Sequence, residues 1–235
     1  MNSAEQKILV WDAPVRVFHW LMVLSFAGAY LTADSERWRL VHVSLGYTMG
    51  GLVAFRLVWG LVGSRHARFR SFVTGPAALL RYGRSLLGRQ PEHFVGHNPA
   101  GAVAIVLLLL SSMVIVGSGW AIYNDAGPAW LARLHEAAST FMLVVVLIHI
   151  TGVVVASLLH HENLVRAMVD GQKSGTAQQA IRWRWRPLAA LMVAAVLGFW
   201  WYTWQGAPAG LVVGFTGSHV IVGAGRVPLD ENVAG

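Results

Sequence analysis

The sequence predicts an all-α, polytopic membrane protein with five transmembrane helices. Three observations predict it. Hydrophobic residues make up 55% of the 235 positions and charged residues only 12%, about half the charge of a soluble domain. The mean hydropathy is +0.53. Five separate apolar runs each reach the roughly 20 residues that a helix needs to cross a hydrocarbon core about 30 Å thick. The composition excludes an ordinary soluble domain and a disordered chain. The absence of cysteine excludes disulfides, iron–sulfur ligation and covalent c-type haem attachment. Eleven tryptophans suit a membrane-interface belt.

The first span runs from about Val15 to Ala33, with Asp12 as its cap and Pro14 in its first turn. The polar lead-in, with Glu5 and Asp12, reads as a retained helix rather than a cleaved signal. The second span runs from about Leu40 to Val62. A loop over 64–98 follows, in which Pro76 to Leu87 has an amphipathic pattern suited to the membrane surface. Asn98 and Pro99 open the third span, about Ala100 to Ile122. The fourth runs from about Trp130 to Leu159 and, after the 160–186 loop, the fifth from about Pro187 to Trp204. The tail 205–235 is glycine-rich, with a short β-like run from His219 to Val222.

Lysine and arginine set the orientation. Thirteen of the eighteen fall in the N-terminal segment, the 64–98 loop and the 160–186 loop; four fall on the other side, and Arg56 lies within the second span. By the positive-inside rule the N-terminus is cytoplasmic and the C-terminus periplasmic. The net charge of +7 is therefore a topology signal, and no nucleic-acid partner is expected.

Ionisable residues inside spans are costly and mark function. Four of the ten histidines qualify: His19, His42, His135 and His149. His135 and His149 share the fourth span, fourteen residues apart. That spacing is a rise of about 21 Å and returns to within roughly 40° of the same helix face. Depth then pairs His19 with His149 near the inner surface and His42 with His135 near the outer one. Two imidazoles from different helices at one depth can clamp a haem iron axially. Gly46, one turn after His42, and Gly50 beyond it allow close approach of a macrocycle or of another helix. Arg16, Arg56 and Arg133 stand at depths where they could meet haem propionates. Zinc is a poorer match, because His135-Glu136 lacks a second histidine at the spacing of a zinc helix. His160-His161-Glu162 reads as a solvated helix end, and His66, His93, His97 and His219 as solvated residues.

Several motifs then become familiar in order. Val10-Trp11-Asp12-Ala13-Pro14-Val15-Arg16-Val17-Phe18-His19-Trp20, His42 with Gly46-Tyr47, and Phe55-Arg56-Leu57-Val58-Trp59-Gly60 resemble the bacterial cytochrome b561/Ni-hydrogenase b-type cytochrome subunits. So do Gly63 to Phe69, Gly96-His97-Asn98-Pro99-Ala100-Gly101, Leu134-His135-Glu136, His149, and His161 to Met168. The resemblance covers about residues 8–173. It implies a four-helix bundle holding two b-type haems, with axial ligands at His19, His42, His135 and His149, plus one further helix. It also implies electron transfer between a periplasmic redox partner and the membrane quinone pool. The partner would be a c-type cytochrome or a hydrogenase- or dehydrogenase-type subunit.

The expected organisation is a di-haem domain over 1–173 with the cytoplasmic loop 64–98, a linker and fifth helix over 174–204, and a periplasmic tail over 205–235 that could either order on the partner's surface or be a mobile end. Two rival functions are a stand-alone quinone-linked enzyme such as a superoxide oxidase, and a transporter using its membrane histidines as a proton relay.

Overall fold

The computed structural model describes residues 6–86, 88 and 92–206. The tail beyond Gly206, with the expected run from His219 to Val222, lies outside the described residues. Five long helices carry the fold: α1 (Ala13–Thr32), α2 (Arg39–Val62), α4 (Pro99–Tyr123), α5 (Trp130–Leu159) and α7 (Arg186–Gln205). All five are long and apolar enough to span a membrane, and each expected boundary falls within two residues of the observed one. Two shorter helices, α3 (Pro76–Leu86) and α6 (Leu164–Asp170), and two strands, β1 (Gln6–Leu9) and β2 (Gln172–Gly175), lie at one end of the bundle.

The expected starts have a local cause. The Asp12 Oδ1 accepts from the Val15 backbone N–H at 2.8 Å, and the Asn98 Oδ1 accepts from Gly101 at 2.7 Å. Each satisfies a backbone donor that a helix start leaves unpaired. Asn163 does the same for α6 at Arg166. That helix stops at Gly171, whose φ of 83° is the left-handed conformation glycine adopts without strain.

Packing places α1 along α2, α4 along α5, and α2 against α4. Helix α7 lies outside this group, on α1 and part of α2, where the Trp200 indole donates to the Thr48 hydroxyl at 2.9 Å. Helix α5 packs extensively only on α4 among the long helices, and scarcely on α1 or α2. The mid-bundle core is Phe26, Met49, Ile115 and Met142. Three of these stand one heptad from a span histidine: Phe26 from His19, Met49 from His42, and Met142 from both His135 and His149. A seven-residue step keeps nearly one helix face, so the same inward faces carry the histidines at both ends and the apolar plug between them.

The N-terminal end is closed by a compact layer. β1 and β2 pair antiparallel, with Gln6 opposite Gly175 and Leu9 opposite Gln172. Val10 and Trp11 donate backbone N–H groups to the Gly171 carbonyl, and Ile181 donates to Leu9. Ile8, Val10, Trp11, Val15, Trp59, Ala67 and Ala167 form its apolar core. Asp12 is fully buried beneath it, and its Oδ2 accepts from the Trp59 indole at 3.0 Å. Asp12→Ala would remove a helix cap and leave a buried indole N–H unpaired. The expected loss is about 2–4 kcal/mol, readable as a lower melting temperature in detergent. An unchanged melt would show that the cap and the indole contact carry little of the stability.

Candidate functional site

The outer and inner pairs keep the names of the expected orientation. In the outer pair the rings of His42 and His135 lie edge-on to each other, with centroids 6.2 Å apart and planes at 65°. The His42 Nδ1 meets the Ala29 carbonyl at 2.8 Å, and the His135 Nδ1 meets the Ile115 carbonyl at 3.0 Å. A carbonyl only accepts, so each Nδ1 is assigned the proton and each Nε2 keeps its lone pair. Ser118 adds a contact to the His135 Nδ1 at 3.2 Å. A Cβ built on Gly119 would come within 3.0 Å of the His135 ring. Four helices thus aim this pair: α2 and α5 supply the rings, and α1 and α4 the carbonyls.

In the inner pair, His19 of α1 and His149 of α5 lie within electrostatic reach of each other. The His19 Nδ1 is buried and has no hydrogen-bond partner among the described residues. Trp20 stands edge-on to its ring at 5.1 Å. A Cβ on Gly152, one turn from His149, would meet nothing within 4 Å, and the same holds at Gly46, one turn from His42. Gly50 differs, since its Cβ would press on Val116 of α4 at 3.0 Å. Gly46 therefore borders open space, and Gly50 a helix contact.

These features fit a bis-histidine haem. A metal–imidazole bond of about 2 Å on each side puts two opposed ring centres about 6 Å apart. An Nδ1–H bound to a carbonyl fixes the tautomer and raises the basicity of the ligating Nε2. The separation of α5 from α1 and α2 suits a flat macrocycle held between them. Among the described residues no group of three or more His, Cys, Asp or Glu side chains is disposed as a metal cluster.

Arg56 is 3% exposed, with its guanidinium 4.8 Å from the Phe69 ring and 6.0 Å from that of Phe72. Its Nη1 and the His97 Nδ1 are both buried without a partner among the described residues. His97 packs between Trp11 at 4.5 Å and Phe72 at 4.6 Å, within electrostatic reach of Arg56 and His149. The unpaired Arg56 Nη1 is a buried donor beside the inner pair that could receive a carboxylate, and the His97 Nδ1 would join it in the tautomer that protonates that nitrogen.

His97 corrects the expectation of a solvated loop histidine. The motif signal was there, since the Asn98 cap holds His97 immediately before a span. His66 is also half-buried, its Nε2–H donating to the Gln179 carbonyl at 2.8 Å. The helix end at His160-His161-Glu162 is likewise not simply solvated. Glu162 lies 3.3 Å from the buried Lys173 ammonium, accepts from the Ser174 N–H at 2.8 Å, and is 3.6 Å from His93.

Burial pushes His97 down to about 3, and the charge of Arg56 acts in the same direction. Burial also lowers His66, against its hydrogen bond to Gln179. An unfolded histidine titrates near 6.5. Below that pH the unfolded segment binds protons that the folded layer refuses, so stability falls as pH drops from about 6.5 toward 3. The slope is about 1.4 kcal/mol per pH unit for one such histidine. Hydrogen exchange corrected for intrinsic rates is expected to show weaker protection of the Val10, Trp11 and Ile181 amides, which tie the layer together, at pH 5 than at pH 7.5. Equal protection would contradict the buried neutral histidine.

The remaining candidates are not brought to the pairs. Arg16 donates to backbone carbonyls of Asp12 and Val169 and lines an outward groove with Trp20 and Leu24. The inward side of α1 is the one that carries Val15, Met22 and Phe26. Arg133 is exposed. Sequence reasoning missed Gly119 and Ser118, which carry no motif by which they could be singled out.

A model of the family described as prokaryotic cytochrome b561 matches residues 10–171. The chain is 22% identical to a probable Ni/Fe-hydrogenase B-type cytochrome subunit of Rhizobium leguminosarum bv. viciae, over 72% of this chain and 89% of the relative. It is 25% identical to a protein of the same description from Azotobacter vinelandii, over 70% and 87%. It is 28% identical to a probable Ni/Fe-hydrogenase 1 B-type cytochrome subunit of Escherichia coli K12, over 49% and 60%. No solved structure matches the chain.

Proposed function

The chain belongs to the prokaryotic cytochrome b561 family, and from that premise we propose that it is a di-haem cytochrome passing electrons between a periplasmic redox partner and membrane quinone. Membership makes it a b-type haem protein of membrane electron transfer, spanning the bacterial inner membrane several times. The finer reading assigns His42 and His135 to one haem and His19 and His149 to the other. The observation that carries it is the outer pair, two rings 6.2 Å apart with both Nδ1 atoms held by carbonyls.

When bound, haem would supply a one-electron redox centre, and His42 with His135 and His19 with His149 would hold it as imidazole pairs, which suits electron transfer over oxygen activation. The chain's own groups do the rest. The Ala29 and Ile115 carbonyls orient the outer ligands. Met49, Met142, Ile115 and Phe26 exclude water from the layer between the two depths. Arg56 offers a donor for the propionates at the inner site, with His97 beside it. The basic N-terminal face is cytoplasmic by its arginine excess, which puts the outer pair toward the periplasm, where the partner docks. The relatives' descriptions name Ni/Fe-hydrogenases, which favours a hydrogenase-type partner over a c-type cytochrome.

The test is purification in mild detergent, a pyridine-haemochrome assay and a reduced-minus-oxidised spectrum, followed by reduction with a quinol. Two b-type haems per chain, both reducible by quinol, are expected. One haem would remove one of the pairs. A folded protein without haem would defeat the electron-transfer reading and favour the histidine relay.

A further inference from the structure

Helices α1 and α7 start at the same end of the bundle and run side by side, leaving a groove that opens to the lipid. Its volume is about 310 Å³, at the small end of ligand pockets. Val17, Leu21 and Leu24 of α1 and Val193 of α7 line its depth, and Arg16 and Trp20 stand near its mouth beside Met168 and Val169 of α6. Arg16 lies in the first turn of α1, so the arginine is at headgroup depth while Leu24 is about 12 Å further along the helix.

The chain entering α7 adds to this mouth. Residues 182–186 read Arg-Trp-Arg-Trp-Arg, and all five side chains are exposed. The segment is anchored there, because the Ala13 N–H, at the start of the groove, donates to the Arg184 carbonyl at 2.9 Å. Trp185 packs edge-on to Trp59 at 5.3 Å. The charges of Arg184 and Arg186 both reach Arg16 at this mouth, and the carboxylates near Arg16 are Asp12 and Asp170. Both are engaged: Asp12 by Val15 and Trp59, Asp170 by Gln172 and Arg166. Among the described residues neither Arg184 nor Arg186 forms an ion pair. The result is a positive rim at headgroup level, flanked by interfacial tryptophans, above an apolar cleft between two helices.

We propose that this groove is a binding site for one anionic phospholipid, its phosphate held by Arg16, Arg184 and Arg186 and an acyl chain lying between α1 and α7 along Leu21, Leu24 and Val193. Charge complementarity selects the occupant. A basic pocket between helices on the cytoplasmic side favours an anionic headgroup, whereas a zwitterionic lipid or a neutral quinone gains little from three arginines. The lipid would seal α7, the least-packed span, onto the four-helix group. The site is independent of the haem assignments.

Native mass spectrometry of the full-length, haem-loaded protein in mild detergent tests this with added phosphatidylglycerol or phosphatidylcholine. Phosphatidylglycerol is expected to bind at least about tenfold more tightly. In a double variant, R184Q with R186Q, its affinity is expected to fall about thirtyfold, as for two surface arginines, with phosphatidylcholine binding unchanged. Both arginines are exposed, so haem content reports that the variant still folds and inserts. Val193→Trp, which fills the cleft and leaves every arginine in place, is expected to weaken phosphatidylglycerol as well. Equal affinity for the two lipids, undiminished binding in the double variant, or a quinone that displaces phosphatidylglycerol from the wild-type protein would each overturn the proposal.

Discussion

Replacing His149 with Ala is expected to reduce the haem content from two per chain to one and leave the outer centre spectrally intact. The reasoning is geometric. His149 stands fourteen residues from His135 on the same face of α5, a rise of about 21 Å, so one macrocycle does not touch both. The outer pair owes its orientation to Ala29, Ile115 and Ser118, none of which contacts the inner pair. The plug of Phe26, Met49, Ile115 and Met142 lies between the two depths and remains in place. The reduced-minus-oxidised α-band is therefore expected to fall by about half, and His135→Ala is expected to remove the complementary half. Loss of both haems from a correctly inserted His149→Ala protein would mean that the centres assemble together and that the two-pair description is wrong. Retention of both would remove His149 from the ligand set.

The parts of this architecture that were legible in the sequence are those governed by local physics. An apolar run of bilayer length has few alternatives to helix, and Asp12 and Asn98 announce their helices through contacts three residues away. The span histidines were legible for the same reason, since rise and rotation per residue are fixed within one helix. The N-terminal layer was not. Its strands, Gln6–Leu9 and Gln172–Gly175, are short and largely polar, and they pair across most of the chain; strand formation there is decided by the partner, not by propensity. The burial of His97 was hidden for a related reason. A polar residue in a basic loop is solvated by default, and only the return of distant segments, Trp11 from one side and Phe72 from the other, buries the histidine. Arg16 matched the depth of the inner pair, but depth does not state which way a side chain leaves the helix.

The same limit applied to Gly46 and Gly50. Their spacing suited either a macrocycle or a helix contact, and the structure separates them. Gly46 lies on the face of α2 that carries His42 and the buried Met49 and Val53, so the open space beside it is inside the bundle. Gly46→Leu is expected to eliminate the outer haem, because the new side chain enters that space without meeting protein. The fold and the inner haem are expected to survive, giving one haem per chain and a nearly unchanged melt of the helices. Gly46→Ala should be tolerated far better, a single methyl occupying a small part of the space. Gly50→Leu predicts the opposite pattern. Its first carbon already meets Val116 at 3.0 Å, so a larger side chain must push α2 from α4, at a cost of about 1–3 kcal/mol or more. Both haems would then weaken together with the thermal stability. If Gly46→Leu lowered stability and both haems in parallel, the space beside Gly46 would belong to helix packing, and the outer macrocycle would have to lie on another face of His42.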